Sequence, residues 1–189
     1  MKAILLTHGA GSNAHTPLLR ALRAEFEGMG WRVVAYDLPF RQARGKGPPR
    51  PAEAAGDRAG IREEVNKLRA AGYERVYVGG HSYGGRQASM LAAEEEGLID
   101  GLLLLSYPLH PPRQRDRMRT QHFPTLRTPV MFLSGTKDEF GTVEELTEAA
   151  RLVSGRVEIE WLEGAGHGLK DKAAGVIAAW FGAFAGSLG

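Results

Sequence analysis

Six short apolar runs punctuate the chain: Lys2 to Thr7, Arg32 to Tyr36, Arg75 to Gly79, Gly101 to Ser106, Pro129 to Leu133 and Val157 to Trp161. Between them the apolar residues recur at helical rather than alternating spacing. Leu18, Leu22, Phe26 and Met29 share one face of Pro17 to Met29, where Thr16 supplies an N-cap and Pro17 a first helical residue. Ile61, Val65 and Leu68 mark a second helix, and Ala88, Leu91 and Ala92 mark a third within Gly85 to Glu96. A fourth carries Val143, Leu146, Ala150 and Val153 behind the cap Thr142, and a fifth carries Val176, Ile177, Trp180, Phe181 and Phe184. Strands that alternate with helices predict a parallel sheet covered on both faces. At 189 residues the chain is expected to form a single α/β domain, 1–189.

In a sheet of that kind ligands collect beyond the carboxyl ends of the strands, and the polar residues there form a pattern. Gly80-His81-Ser82-Tyr83-Gly84 lies between the third strand and the helix that follows it. That is the context a G-x-S-x-G nucleophile elbow requires, with Ser82 as nucleophile. An acid and then a histidine should follow in chain order. Asp138, in Ser134-Gly135-Thr136-Lys137-Asp138-Glu139-Phe140-Gly141 after the fifth strand, is assigned the orienting carboxylate, with Glu139 beside it as the alternative. His167, in the glycine-rich loop Glu163 to Gly168 after the sixth strand, is assigned the general base, with His122 and His81 next in line. The loop His8-Gly9-Ala10-Gly11-Ser12 after the first strand is small enough to turn backbone N–H groups toward a carbonyl oxygen. It is expected to form an oxyanion hole together with the N–H of Tyr83. His8 should pack under that loop. His8, Gly11, Tyr107 and Phe140 are the expected substrate-contacting residues, with Phe40 and Phe123 as further pocket walls.

Composition removes several other classes. The chain has no cysteine, so disulfides, thiolate metal sites and a cysteine nucleophile are excluded. No metal or cofactor is expected. The apolar stretch after Lys2 is too short for a secretory signal, and the uncharged stretch Ala173 to Gly189 is too short and too rich in Ala and Gly to span a bilayer, so a cytoplasmic protein is expected.

Charge adds one expectation. The segment Gly45 to Gly60 reads as a surface loop, and two longer connections, Asp37 to Ala55 and Tyr107 to Thr128, leave strand carboxyl ends and should overhang the site. Between them they hold nine cations: Arg41, Arg44, Lys46, Arg50, Arg113, Arg115, Arg117, Arg119 and Arg127. These are expected either to steer an anionic substrate or to form a solvated surface. They lack the interleaved aromatics of a nucleic-acid platform.

Four stretches together resemble a known family: Thr7-His8-Gly9-Ala10-Gly11; Gly80-His81-Ser82-Tyr83-Gly84-Gly85-Arg86; Ser106-Tyr107-Pro108-Leu109-His110-Pro111-Pro112; and the segment Ser134 to Gly141. It is the α/β-hydrolase-like family of testis-expressed protein 30 and subunit 3 of the nonspecific-lethal chromatin complex, with bacterial members related to dienelactone hydrolases. The resemblance implies a minimal α/β-hydrolase fold, a six-stranded and mainly parallel sheet of order 2-1-3-4-5-6. It places Ser82, Asp138 and His167 on the triad positions and Ala10 and Tyr83 on the oxyanion positions. The chain departs from dienelactone hydrolase itself, which uses a cysteine nucleophile. The combined expectation is a serine hydrolase of small carboxylic esters or thioesters, with a non-catalytic interaction subunit of the same fold as the alternative.

Overall fold

The structure is a computed structural model that describes residues 1–189. Its six strands are β1 (Lys2–Thr7), β2 (Arg32–Ala35), β3 (Arg75–His81), β4 (Gly101–Leu105), β5 (Val130–Gly135) and β6 (Val157–Leu162). They form one sheet in the order β2-β1-β3-β4-β5-β6, and every neighbouring pair is parallel. Parallel neighbours need crossovers, and the helices supply them. α1 (Pro17–Gly28) follows β1, and α2 (Pro39–Ala43) and α3 (Ala54–Ala70) follow β2. α4 (Tyr83–Glu94) follows β3, α5 (Val143–Ala150) follows β5, and α6 (Ala174–Gly186) follows β6.

Because side chains alternate across a strand, each central strand feeds two cores. Leu102 and Leu104 of β4 join Val76 and Val78 of β3 in packing against Ile61, Val65, Leu91 and Leu146 from α3, α4 and α5. Leu103 and Leu105 point the other way, toward Leu22 and Phe26 of α1 and Ile177 and Phe181 of α6. The helices therefore cover both faces, as the alternation of runs predicted. No helix is long and apolar enough to cross a membrane.

Register brings the strand ends level. Thr7 of β1 lies beside Gly80 of β3, and His81 of β3 beside Leu105 of β4. The loops that leave β1, β3, β5 and β6 consequently open on one edge of the sheet.

Three expectations change. Met29 and Val176, read as the apolar faces of their helices, are turned outward and exposed. The connection Asp37 to Ala55 is not plain loop: it holds α2 and the 3-10 turn Pro51–Glu53. Within the supposed surface loop Gly45 to Gly60, α3 already begins at Ala54, and its Asp57 is completely buried. The physical reason is that Asp57 is a structural acceptor, taking the Phe40 N–H at 2.9 Å and the Tyr83 hydroxyl at 2.6 Å. One carboxylate thus ties α2, α3 and the start of α4 together.

Candidate active site

Ser82 occupies the turn between β3 and α4 with φ 51° and ψ −113°, a left-handed conformation that a residue with a side chain rarely adopts. Its amide donates to Leu105 O at 2.8 Å and its carbonyl accepts the Arg86 N–H at 3.0 Å, so the strained residue is held by the sheet on one side and the helix on the other. The glycines around it are there for clearance. A Cβ on Gly80 would fall on the backbone of Gly84 and Gly85, and one on Gly84 would lie 2.5 Å from Thr7 Oγ1 and 2.7 Å from His8 O. Only hydrogen at both positions lets β1, β3 and α4 converge on this turn.

The three residues assigned from chain order meet here. The Ser82 hydroxyl donates to His167 Nε2 at 2.9 Å, and His167 Nδ1–H donates to both Asp138 oxygens at 3.0 Å. Asp138 is almost fully buried, and its Oδ1 also accepts the Phe140 N–H at 2.9 Å. Glu139, the alternative acid, points to solvent. The two loops that carry the pair are joined by backbone: Thr136 N donates to Leu162 O at 3.1 Å and Lys137 N to Ala165 O at 2.9 Å. Phe140 stacks on the imidazole of His167 with ring centres 3.9 Å apart, which fixes the ring plane.

The competing histidines His8, His81 and His122 are committed elsewhere. His8 is fully buried, with Nδ1–H donating to Gly9 O at 2.8 Å and Nε2 accepting the Leu38 N–H at 3.1 Å. That pairing specifies a neutral ring, and burial lowers its pKa to match. His8 therefore lies under the oxyanion loop and off the cleft wall, which corrects its expected substrate contact. His81 donates from Nε2 to the backbone carbonyl of His167 at 2.9 Å, and burial lowers its pKa too. It braces the loop of His167. His122 pairs with Ser89 Oγ at 2.8 Å, away from Ser82.

Ser82, His167, Ala10, Gly11, Tyr83 and Phe140 open into one cleft of about 1040 Å³. The amides of Ala10 and Tyr83 donate to no protein acceptor, so both are available to a ligand oxygen. The loop that presents Ala10 is set by Arg41, whose guanidinium donates to Ser12 O at 2.8 Å, Ala10 O at 3.0 Å and Gly47 O at 3.0 Å. Tyr107, Phe40 and Phe123, expected as pocket walls, are buried in the core. The chain turns at Ser106, whose φ is 48°, and the Tyr107 ring packs against Phe123 and Phe132 while its hydroxyl donates to Arg119 O at 2.6 Å. Rings of this size contribute more by filling the core than by lining a wet cleft.

Residues 1–176 match the alpha/beta hydrolase domain family. The chain belongs to that family. Solved structures of similar fold include the monoacylglycerol lipase of Paleococcus ferrophilus, 17% identical with a TM-score of 0.77 over 99% of this chain and 95% of that one. Est1E of Butyrivibrio proteoclasticus, solved with ferulic acid, is 14% identical with a TM-score of 0.78 over 99% and 90%. A dienelactone hydrolase of Anabaena variabilis is 16% identical with a TM-score of 0.74 over 97% and 86%. At these identities the likeness is one of fold. For an alpha/beta hydrolase the cleft lies where the fold places ligands, past the strand carboxyl ends.

Three residues have roles at the site that were not assigned from the sequence: Asp57, Arg41, which was counted among the loop cations, and Arg86. Asp57 left a signal, since it falls four residues before Ile61 and eight before Val65, on the apolar stripe of α3. An acid at a core position must be hydrogen-bonded there. Arg86 left a weaker one, one turn after Ser82 on the elbow helix.

Proposed function

We propose that this chain is a serine hydrolase of small carboxylic esters or thioesters, working through an acyl-enzyme intermediate. The observation that carries the reading is the continuous hydrogen-bonded run Ser82–His167–Asp138 at the mouth of the cleft, with Ser82 held at positive φ. Ser82 Oγ attacks the acyl carbon and its proton passes to His167 Nε2. The Asp138 carboxylate holds Nδ1–H and stabilises the imidazolium. The developing oxyanion takes the free N–H groups of Ala10 and Tyr83, and each such donor is worth on the order of 10²- to 10³-fold in rate. His167 returns the proton to the leaving alcohol or thiol. It then deprotonates water, which attacks the acyl carbon and frees Ser82. The scheme needs no cofactor.

The lipase and esterase neighbours support ester chemistry. The stretches Ser106 to Pro112 and Ser134 to Gly141 support the narrower grouping with the testis-expressed protein 30 and nonspecific-lethal subunit 3 proteins. The proposal includes a single domain, 1–189, located in the cytoplasm. A fluorophosphonate probe tests it: the probe should label Ser82, and Ser82→Ala should lose labelling together with 10³-fold or more of the hydrolysis of 4-nitrophenyl esters. A folded wild-type protein that takes no label and turns over no ester is instead the non-catalytic subunit of the alternative reading.

A further inference from the structure

Charge along the cleft is one-sided. Four arginines line it, Arg50, Arg86, Arg117 and Arg119, against one carboxylate, Asp116. Of the other cations of the two basic connections, four are already engaged. Arg41 is buried on backbone carbonyls, Arg44 pairs with Glu53 of its own segment, Arg115 pairs with Glu145 at 3.1 Å, and Arg127 faces Glu96 at 3.8 Å.

Arg86 and Arg119 differ from these. Both are half-buried, and neither forms an ion pair with any carboxylate, whereas Arg58, one helix away, is paired with Glu94 at 3.0 Å. Arg86 Nε is one of only two buried side-chain polar atoms without a hydrogen-bond partner, the other being Ser106 Oγ. Arg119 makes a single guanidinium contact, to Pro108 O at 3.3 Å. A guanidinium presents five donors in a planar fork, so both keep unused donors beside the cleft. Leaving charged donors half-desolvated and unpaired is costly, and an anionic ligand removes that cost.

Position adds to the case. Arg86 sits in the first turn of α4, its amide donating to Ser82 O at 3.0 Å, and both residues line the same cleft. The two cations also act on their surroundings as neighbours: burial first, and then the charge of Arg86, lowers the pKa of Arg119.

We infer that Arg86 and Arg119 form a subsite for an anionic group on the substrate, so that the preferred substrates are esters carrying a carboxylate or phosphate remote from the scissile bond. This rests on the hydrolase reading and narrows it. It also moves specificity away from the loop cations as a set, to one loop arginine and one arginine on the elbow helix.

The kinetic test compares mono-4-nitrophenyl adipate with 4-nitrophenyl hexanoate, two acyl chains of equal length of which only the first ends in a carboxylate. Wild type should show a kcat/KM for the adipate ester about tenfold or more above the neutral ester, with a preference that shrinks as salt rises. Arg86→Met and Arg119→Gln should each reduce that ratio on the order of tenfold, and Arg86→Lys should restore part of it. A wild-type ratio near one, or a ratio unmoved by both substitutions, overturns the subsite while leaving the hydrolase reading in place. Calorimetric titration with adipate and with phenyl phosphate decides the matter even if no ester is turned over. Binding of either anion that is weakened about tenfold in Arg119→Gln supports the subsite and identifies its anion. Absence of binding by both in folded wild-type protein overturns it.

Discussion

Acidification should loosen this fold before its carboxylates begin to protonate, and His122 sets the size of the effect. Its pKa is pushed down to about 4 by burial first, and then by the charges of Arg86 and Arg58. In the unfolded chain the ordinary value of about 6.5 returns. Between those limits the unfolded state takes up a proton that the folded state refuses. The contribution is therefore fully present above about pH 6.5 and is lost as pH falls toward 4. The whole interval corresponds to about 3 kcal/mol, of which about 2 kcal/mol is gone by about pH 5. Urea unfolding of wild type and His122→Gln at about pH 7.5 and about pH 5 measures it. Glutamine can still bond Ser89 Oγ but cannot titrate, so wild type should lose about 2 kcal/mol more than the variant. His8 and His81, whose pKa values burial also lowers, add losses of the same sign that are common to both proteins and cancel in the difference. Equal pH dependence in the two proteins would show that His122 is solvated and the packing around it is not as described.

Two substitutions test the site from its supports. Asp138→Asn removes the acceptor that holds His167 Nδ1–H, so kcat should fall on the order of 10³- to 10⁴-fold in steady-state ester hydrolysis while KM changes little; a loss under tenfold would reassign the acid. Arg41→Met releases the carbonyls of Ala10 and Ser12, so the amide of Ala10 loses its aim; kcat should drop about 100-fold with a small change in KM, and a fall expressed only in KM would mean that Arg41 binds substrate instead.

The sheet and its crossovers were legible because the strands are short apolar runs and the helices between them keep a regular stripe. The central leucines Leu102 to Leu105 feed both cores in strict alternation, which is what a continuous apolar run in a parallel sheet must do. Element ends were less legible. β3 runs two residues further than the apolar run, to His81, because Gly80 and His81 still pair with β4 even though they carry no core side chain. The hydrogen-bonded run through Ser82, His167 and Asp138 could be anticipated from order along the chain, since the chain must pass each of those residues at a strand end.

Pairing of charges could not be anticipated in the same way. Nine cations on two connections looked like a common field, but side-chain partners depend on contacts across the fold that sequence spacing does not encode. Arg41 and Arg127 look alike as letters, yet one is buried against backbone carbonyls and the other lies at the surface opposite a glutamate. Arg86 stands outside those connections, on the helix that begins at the Ser82 turn, and so is not part of their charge count. What distinguishes it is the lack of a counter-charge at partial burial, and only a folded chain can show that lack. A folded protein pairs buried charges wherever it can, because unpaired ones cost stability. The arginines left unpaired in the cleft of Ser82 are therefore more informative about a ligand than the total charge of the loops around it.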